Sequence, residues 1–105
     1  MSEDVIRWLE GVRDLPCGPV LQLFVEQVSA LDPAIETEVG AFGLHFRLAG
    51  SPLCELSVFG QLFIARVGRE QAVEYRIRRH DGVLEALDRI LRELHATELR
   101  PAELA

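Results

Sequence analysis

Residues 53–67, LCELSVFGQLFIARV, decide the fold that the sequence predicts. Apolar and polar side chains alternate on both sides of Gly60-Gln61, which is the pattern of two half-buried strands joined by a tight turn. The turn register that makes one face wholly apolar also places Glu55 directly opposite Arg66. The stretch therefore predicts an antiparallel β-hairpin with one buried face.

The same alternation continues into one further strand on each side of this hairpin. Loops over residues 50–52 and 68–72 have the lengths that keep charged side chains off the apolar face. The result is a four-stranded antiparallel meander in which Arg47 opposes Glu55 on the outer face. Its predicted inner face consists of Leu44, Phe46, Leu48, Cys54, Leu56, Val58, Phe63, Ala65, Val67, Val73, Tyr75 and Ile77.

An extended segment over residues 35–39 precedes this meander. Its apolar residues alternate in the opposite phase to those of residues 42–48. A β-bulge across Gly40–Gly43 is the economical explanation of that phase slip.

Two helices are predicted before the strands. Apolar residues recur at helical spacing over residues 3–15, with Ser2 as the N-cap. A second helix is expected over residues 19–31, since proline is well tolerated at the first helical position. Gly18 is then the expected N-cap.

A third helix is predicted over residues 82–96, with Asp81 as its cap, and it carries the strongest apolar stripe in the chain. Residues 97–105 are expected to form a frayed tail. The chain is therefore predicted to be a single two-layer α+β domain over residues 1–105. It would have two N-terminal helices, the four-stranded sheet and a C-terminal helix packed on one sheet face.

Composition limits the classes of partner and compartment. The 105 residues carry a formal charge of −6, which argues against general nucleic-acid binding. The longest apolar stretch, VLQLFV, is far shorter than the ~20 residues of a membrane helix. The start, MSEDVIRW, has acidic residues where a signal peptide would be basic. We expect a cytoplasmic protein that binds neither nucleic acid nor membranes, with both cysteines reduced.

Residues 15–20, LPCGPV, contain the one candidate reactive thiol, Cys17. This stretch resembles the Cys-Gly-Pro-Cys loop of thioredoxin-like redox proteins, with Val20 in place of the second cysteine. The resemblance implies a thiolate stabilised by a helix N-terminus. The alternative is a connector in which one helix stops and the next begins, and the sequence favours it because a helix rather than a strand precedes Cys17.

The remaining candidates for chemistry are dispersed. The three histidines share no metal-ligand spacing with each other or with the cysteines, and Cys54 is expected in the core. His45, Ser57 and Glu55 could be neighbours on the outer face, but the sequence favours a solvated polar sheet face over a catalytic cluster. We therefore expect no catalytic residue, no metal site and no cofactor.

The densest positive stretch is RIRRH, residues 76–80. Arginine and apolar side chains are enriched at protein interfaces, so the candidate interaction surface lies on the outer sheet face. Its predicted members are His45, Phe59, Leu62, Ile64, Arg76 and Arg78.

These observations favour a small, non-catalytic interaction domain, an adaptor or chaperone-like protein that binds a protein partner or a second copy of itself. Its size, acidity and mixed helix–sheet build resemble those of small bacterial secretion chaperones, which place a helix between strands that this sequence lacks. Whether the protein is an enzyme stays open. The alternatives are a thiol-dependent redox protein using Cys17 and a small-anion binder at Arg76, Arg78 and His45.

Overall fold

The computed structural model of the chain describes residues 2–68 and 71–104. It confirms an α+β fold with two helices before an antiparallel sheet and one helix after it. The helices are α1 (Glu3–Val12), α2 (Gly18–Leu31) and α3 (His80–Leu104). The strands are β1 (Ile35–Val39), β2 (Leu44–Leu48), β3 (Ser51–Val58), β4 (Phe63–Val67) and β5 (Val73–Ile77).

The sheet has five strands in the order β1-β2-β3-β4-β5, so the prediction of four strands was wrong. The additional strand is β1, which pairs antiparallel with β2. Its opposite phase comes from a hairpin turn over residues 40–43 and not from a bulge. The Gly40 N–H donates to the Gly43 carbonyl oxygen at 2.8 Å and closes this turn.

The predicted register is confirmed on one side of the sheet and wrong on the other. Strands β3, β4 and β5 pair as expected, with Glu55 opposite Arg66 and Arg66 opposite Glu74. Between β2 and β3 the register is shifted by two residues, so that His45 and not Arg47 faces Glu55. Because the shift is even, the residues of the predicted inner face stay on that face.

The shift has two causes, a shorter turn and a bulge. Ala49 and Gly50 both have positive φ, 53° and 78°, as in the two-residue hairpin turns that match the twist of the strands. A three-residue loop over 50–52 was predicted instead. The bulge lies on β3, where Leu53 is the extra residue between the partners of Phe46 and Arg47.

The inner face of the sheet is the core, as predicted. All of its predicted residues are buried or pack against the buried cluster, except Val73, which is 38% exposed at the sheet edge. The bulge adds Leu53, which is buried next to Cys54. The helices form the second layer, and they contact the sheet and one another.

The helix ends differ from the predicted ones. Ser2 caps α1 as expected, since its Oγ accepts from the Val5 N–H at 3.4 Å. However, α1 ends at Val12 and not at 15, and the N-cap of α2 is Cys17 and not Gly18. Pro16 removes the residue before it from helical geometry, which leaves a turn between the two helices.

The third helix begins two residues before the predicted start and extends past the predicted end at residue 96, reaching Leu104. Asp81 therefore lies in its first turn, where the helix dipole favours an acidic residue, and does not precede the helix as a cap. No described helix is long and apolar enough to cross a membrane.

Candidate functional site

The outer sheet face carries the candidate surface. The described helices all contribute to the core on the other face, and α3 contacts strands β3, β4 and β5 there. Antiparallel sheets commonly leave one face open to solvent in this way. A site on this face is therefore supported by the hydrogen-bonded backbone of the five-stranded sheet.

A shallow groove of about 480 Å³ crosses this face at the β3–β4 turn. We call it the hairpin groove. Five of the six predicted surface residues line it, and Gln61 is the sixth lining residue. The lining residues are Phe59, Gln61, Leu62, Ile64, Arg76 and Arg78.

Local geometry explains why these side chains converge. Gly60 has a φ of 88°, which lets the chain reverse tightly, and the Phe59 N–H donates to the Leu62 carbonyl oxygen at 2.9 Å. Ile64 lies directly opposite Arg76 in the β4–β5 ladder. Phe59 is 63% exposed, so an aromatic ring stands in solvent beside partly covered aliphatic chains.

The groove is positively charged at its β5 side. Neither Arg76 nor Arg78 forms an ion pair with any carboxylate in the part of the chain that the structure describes. Their guanidinium groups keep their donors for an external acceptor. The arrangement combines an apolar floor with cationic groups along one side.

His45 lies apart from the groove, which corrects its placement in the candidate surface. It faces Glu38 on β1 and Glu55 on β3, and a side chain at Gly40 would overlap its ring. Its strand is three strands from that of Arg76, about 14 Å at the usual strand spacing. The three residues of the predicted anion site therefore do not converge.

His45 instead lines a smaller hollow of about 220 Å³ beside the bulge. Charges of both signs line this hollow, from Glu55 as well as from Arg47 and Arg66. Each arginine of the hollow has a carboxylate beside it, since Arg66 lies opposite Glu55 and Arg47 forms an ion pair with Glu38.

The shifted β2–β3 register also changes how His45 and Ser57 lie relative to each other. Ser57 is opposite Ile64 on one side and next to the Gly43 backbone on the other. A side chain at Gly43 would overlap the Leu56 carbonyl oxygen, so only glycine allows β2 and β3 to approach this closely. His45 therefore lies directly opposite Glu55 and diagonal to Ser57, whereas the predicted register placed it directly opposite Ser57.

The charge pattern of the outer face changes with the register. The observed row across the sheet is Glu38, His45, Glu55, Arg66 and Glu74. Arg47, predicted to face Glu55, lies opposite Glu36 and forms an ion pair with Glu38 at 3.7 Å. This pair is largely exposed and contributes at most about 1 kcal/mol.

Cys17 is buried, with none of its surface accessible. Burial raises the pKa of its thiol, and a hydrogen bond from its own backbone only partly opposes that effect. Its N–H donates to the Gly60 carbonyl oxygen at 3.0 Å, which joins the α1–α2 turn to the tip of the β3–β4 hairpin. These features favour the connector interpretation.

The other cysteine, Cys54, is in the core as predicted, and burial raises the pKa of its thiol well above the ordinary range. Both thiols are free. Within residues 2–68 and 71–104, no group of three His, Cys, Asp or Glu side chains is arranged to hold a metal ion.

Sequence patterns missed one exposed aromatic residue. Phe42 is 79% exposed in the β1–β2 turn, and its carbonyl oxygen accepts from the Val58 N–H at 3.2 Å. That bond places Phe42 at the same end of the sheet as Phe59. The sequence contained the signal, because Phe42 lies in a short turn between Gly40 and Gly43, and turns lie at the surface.

Comparisons with known proteins identify no relative. No family model, curated protein or solved structure matches this chain.

Proposed function

We propose that this protein is a non-catalytic interaction domain that binds a segment of another protein in the hairpin groove. The observation that carries the proposal is the convergence, on the outer sheet face, of Phe59, Leu62 and Ile64 with two arginines that form no ion pair within the described residues. Interface centres are enriched in aromatic residues and arginine in the same way.

The chemistry of the groove defines the partner segment. Its floor can contact apolar side chains, and Arg76 and Arg78 can donate hydrogen bonds to a carboxylate of the segment. The chain as a whole is acidic, with a formal net charge of −6, and repels anionic segments away from the groove. We therefore propose a partner segment with apolar residues next to aspartate or glutamate, and the free thiols suit a reducing compartment such as the cytoplasm.

A displayed library of random dodecapeptides tests this proposal. We expect selection on the wild-type protein to enrich apolar–acidic peptides, and Leu62→Glu to abolish their binding because it places a carboxylate in the groove. Arg78→Ala should weaken binding by up to about 1 kcal/mol, about fivefold. The matched control is Leu84→Glu, since Leu84 is 55% exposed on α3, away from the groove.

Two results would contradict the proposal. One is a selection in which the wild-type protein enriches no peptide more strongly than the Leu62→Glu variant does. The other is a set of peptides whose affinity for Leu62→Glu equals their affinity for the wild-type protein.

The anion-binding alternative has less support because His45 does not join the two arginines. It makes a separate prediction, which is that inorganic phosphate raises the Tm of the wild-type protein but not that of Arg76→Ala. The redox alternative has less support because Cys17 is buried and its pKa is raised.

A further inference from the structure

The free edge of β5 suggests a function that the groove does not include. Strand β5 ends the sheet, and its sequence VEYRI is short and alternates apolar and charged residues. No described loop or side chain hydrogen-bonds to its main chain at that edge. An unpaired edge of this kind is a template for another strand.

The hydrogen-bond phase of the sheet determines which groups the edge presents. Phe59 N–H donates to the Leu62 carbonyl, and Gly68 N–H donates to the Leu53 carbonyl at 3.2 Å. Even-numbered residues of β4 and its extensions therefore bond to β3. In an antiparallel sheet the odd-numbered residues of β4 then bond to β5.

The register pairs those odd-numbered residues of β4 with Val73, Tyr75 and Ile77. The N–H and carbonyl groups of Glu74 and Arg76 consequently point away from β4, toward the free edge. Both side chains are exposed on the outer face. The free main-chain groups and the two opposite charges thus belong to the same residues.

We propose that two copies of this chain pair antiparallel through β5 about a two-fold axis at Tyr75. In that register Glu74 of each copy lies opposite Arg76 of the other, and each such pair exchanges both of its free main-chain hydrogen bonds. Opposite charges directly across antiparallel strands are stabilising. The two sheets join into one continuous sheet with both hairpin grooves on the same side.

The neighbouring two-fold registers do not have this complementarity. Moving the axis toward Val73 places Glu74 opposite Glu74 of the second copy. Moving it toward Ile77 places Arg76 opposite Arg76, and Glu74 then faces Arg78, which lies beyond the end of β5. Like charges directly opposite each other are destabilising. The register centred on Tyr75 also brings Val73, which is 38% exposed, opposite Ile77 of the second copy and covers an apolar side chain.

The other edge of the sheet is unsuited to the same pairing. The Gly40–Gly43 hydrogen bond fixes the phase of β1, so that Thr37 and Val39 carry its outward main-chain groups. The two-fold registers centred on Glu36, Thr37 or Glu38, which pair most of β1, each place a glutamate opposite a glutamate of the second copy. Such charges protect an edge strand from self-association.

Pairing of β5 with β1 of another copy is also disfavoured. The outward main-chain groups of β5 belong to residues whose side chains lie on the outer face, whereas those of β1 belong to residues with side chains on the inner face. Joining the two edges would continue the outer face of one copy as the core face of the next. Edge pairing therefore closes as a dimer and does not grow into a fibre.

Sedimentation or light-scattering mass across a concentration series up to about 1 mM tests the dimer. We expect a dimer for the wild-type chain and at least about tenfold weaker association for both Glu74→Arg and Arg76→Glu. An equimolar mixture of these two variants should recover the dimer, because each arginine then faces a glutamate. The matched control is Glu85→Arg, an exposed glutamate on α3, which should keep the wild-type mass.

A backbone variant separates pairing from charge. Glu74→Pro removes one outward N–H without disturbing the bonds to β4, since proline is tolerated on an edge strand at that position. It should be a folded monomer, with an unchanged circular dichroism spectrum.

Three results would overturn the inference. They are a wild-type monomer at every concentration, a dimer that persists in all the β5 variants, and a mixture of the charge variants that stays monomeric. Arg76 belongs to both proposals, but their outcomes are distinguishable, because Leu62→Glu leaves the β5 edge intact and Glu74→Pro leaves the lining residues of the hairpin groove intact. A dimer that only Leu62→Glu dissociates would place self-association on the groove instead.

Discussion

Cys17 illustrates how burial can oppose a helix dipole at a single residue. A helix N-terminus lowers a thiol pKa when the sulfur is positioned to receive it, and Cys17 is the N-cap of α2. Its side chain makes no cap hydrogen bond and instead packs in the core cluster. Desolvation therefore determines the direction of the shift, and the pKa of the Cys17 thiol is raised.

The first prediction concerns the reactivity of this thiol. In a Cys54→Ala background, we expect alkylation of Cys17 to be slow and its pH midpoint to lie above the ordinary value of ~8.5. A raised native pKa also means that the unfolded chain ionises first as the pH increases. The stabilising contribution of Cys17 is thus complete below the ordinary thiol pKa and is lost as the pH rises through the native one.

Alkylation rates and urea unfolding measured from pH 7 to pH 10 check both parts. Cys17→Ala should reduce the loss of stability at high pH. A fast-reacting thiol with a midpoint well below ~8.5 would contradict the prediction and restore the redox alternative.

At the scale of the elements, alternation predicted faces better than registers. Strands β3, β4 and β5 could be aligned from sequence because their turns left a single register with no charge in the core. The β2–β3 pair could not, since a two-residue turn with a bulge and a three-residue loop without one place the same residues of the predicted inner face in the core. The two arrangements differ in the row of charges, which determines the position of His45, and in the burial of Leu53.

Strand β1 was missed as a member of the sheet for a related reason. Its phase is opposite to that of β2, and either a bulge or a turn can reverse a phase. The hairpin groove was largely predictable because its members flank a two-residue turn whose register was determined. The separation of His45 was not, because it depends on the extra residue Leu53.

The second prediction concerns that extra residue. Strict alternation would point Leu53 outward, but the bulge buries it to 3% exposure. We expect Leu53→Ala to lower the free energy of unfolding by about 2–5 kcal/mol, as for other core leucines. Leu84→Ala, at an exposed leucine on α3, should change it by less than about 0.5 kcal/mol.

Urea denaturation of the two variants provides the comparison. Equal, small effects of Leu53→Ala and Leu84→Ala would mean that β3 has no bulge and that Arg47 faces Glu55 after all.

At the scale of the whole molecule, the two faces of one sheet have different uses. The inner face and the helices form the core, where three phenylalanine rings meet. The ring centroid of Phe24 lies 5.5 Å from that of Phe63 and 6.5 Å from that of Phe46. The outer face contributes the groove and the edge charges. Because side chains alternate along a strand, neighbours in sequence lie in the core and on the proposed binding surface in turn.

The last prediction uses one such pair of neighbours, Phe63 and Ile64. Phe63 is fully buried, so we expect Phe63→Leu to lower the free energy of unfolding by about 1 kcal/mol or more through imperfect packing. Ile64 lines the groove and is only partly buried, so Ile64→Ala should cost less stability than the same truncation at a fully buried isoleucine such as Ile77. Ile64→Ala should nevertheless weaken the groove-binding peptides, whereas Phe63→Leu should leave their affinity unchanged while the protein is folded. Peptide titrations and urea unfolding of the same two variants measure both quantities. If Ile64→Ala lost stability but kept its peptide affinity, the outer face would be a structural surface and not a binding one.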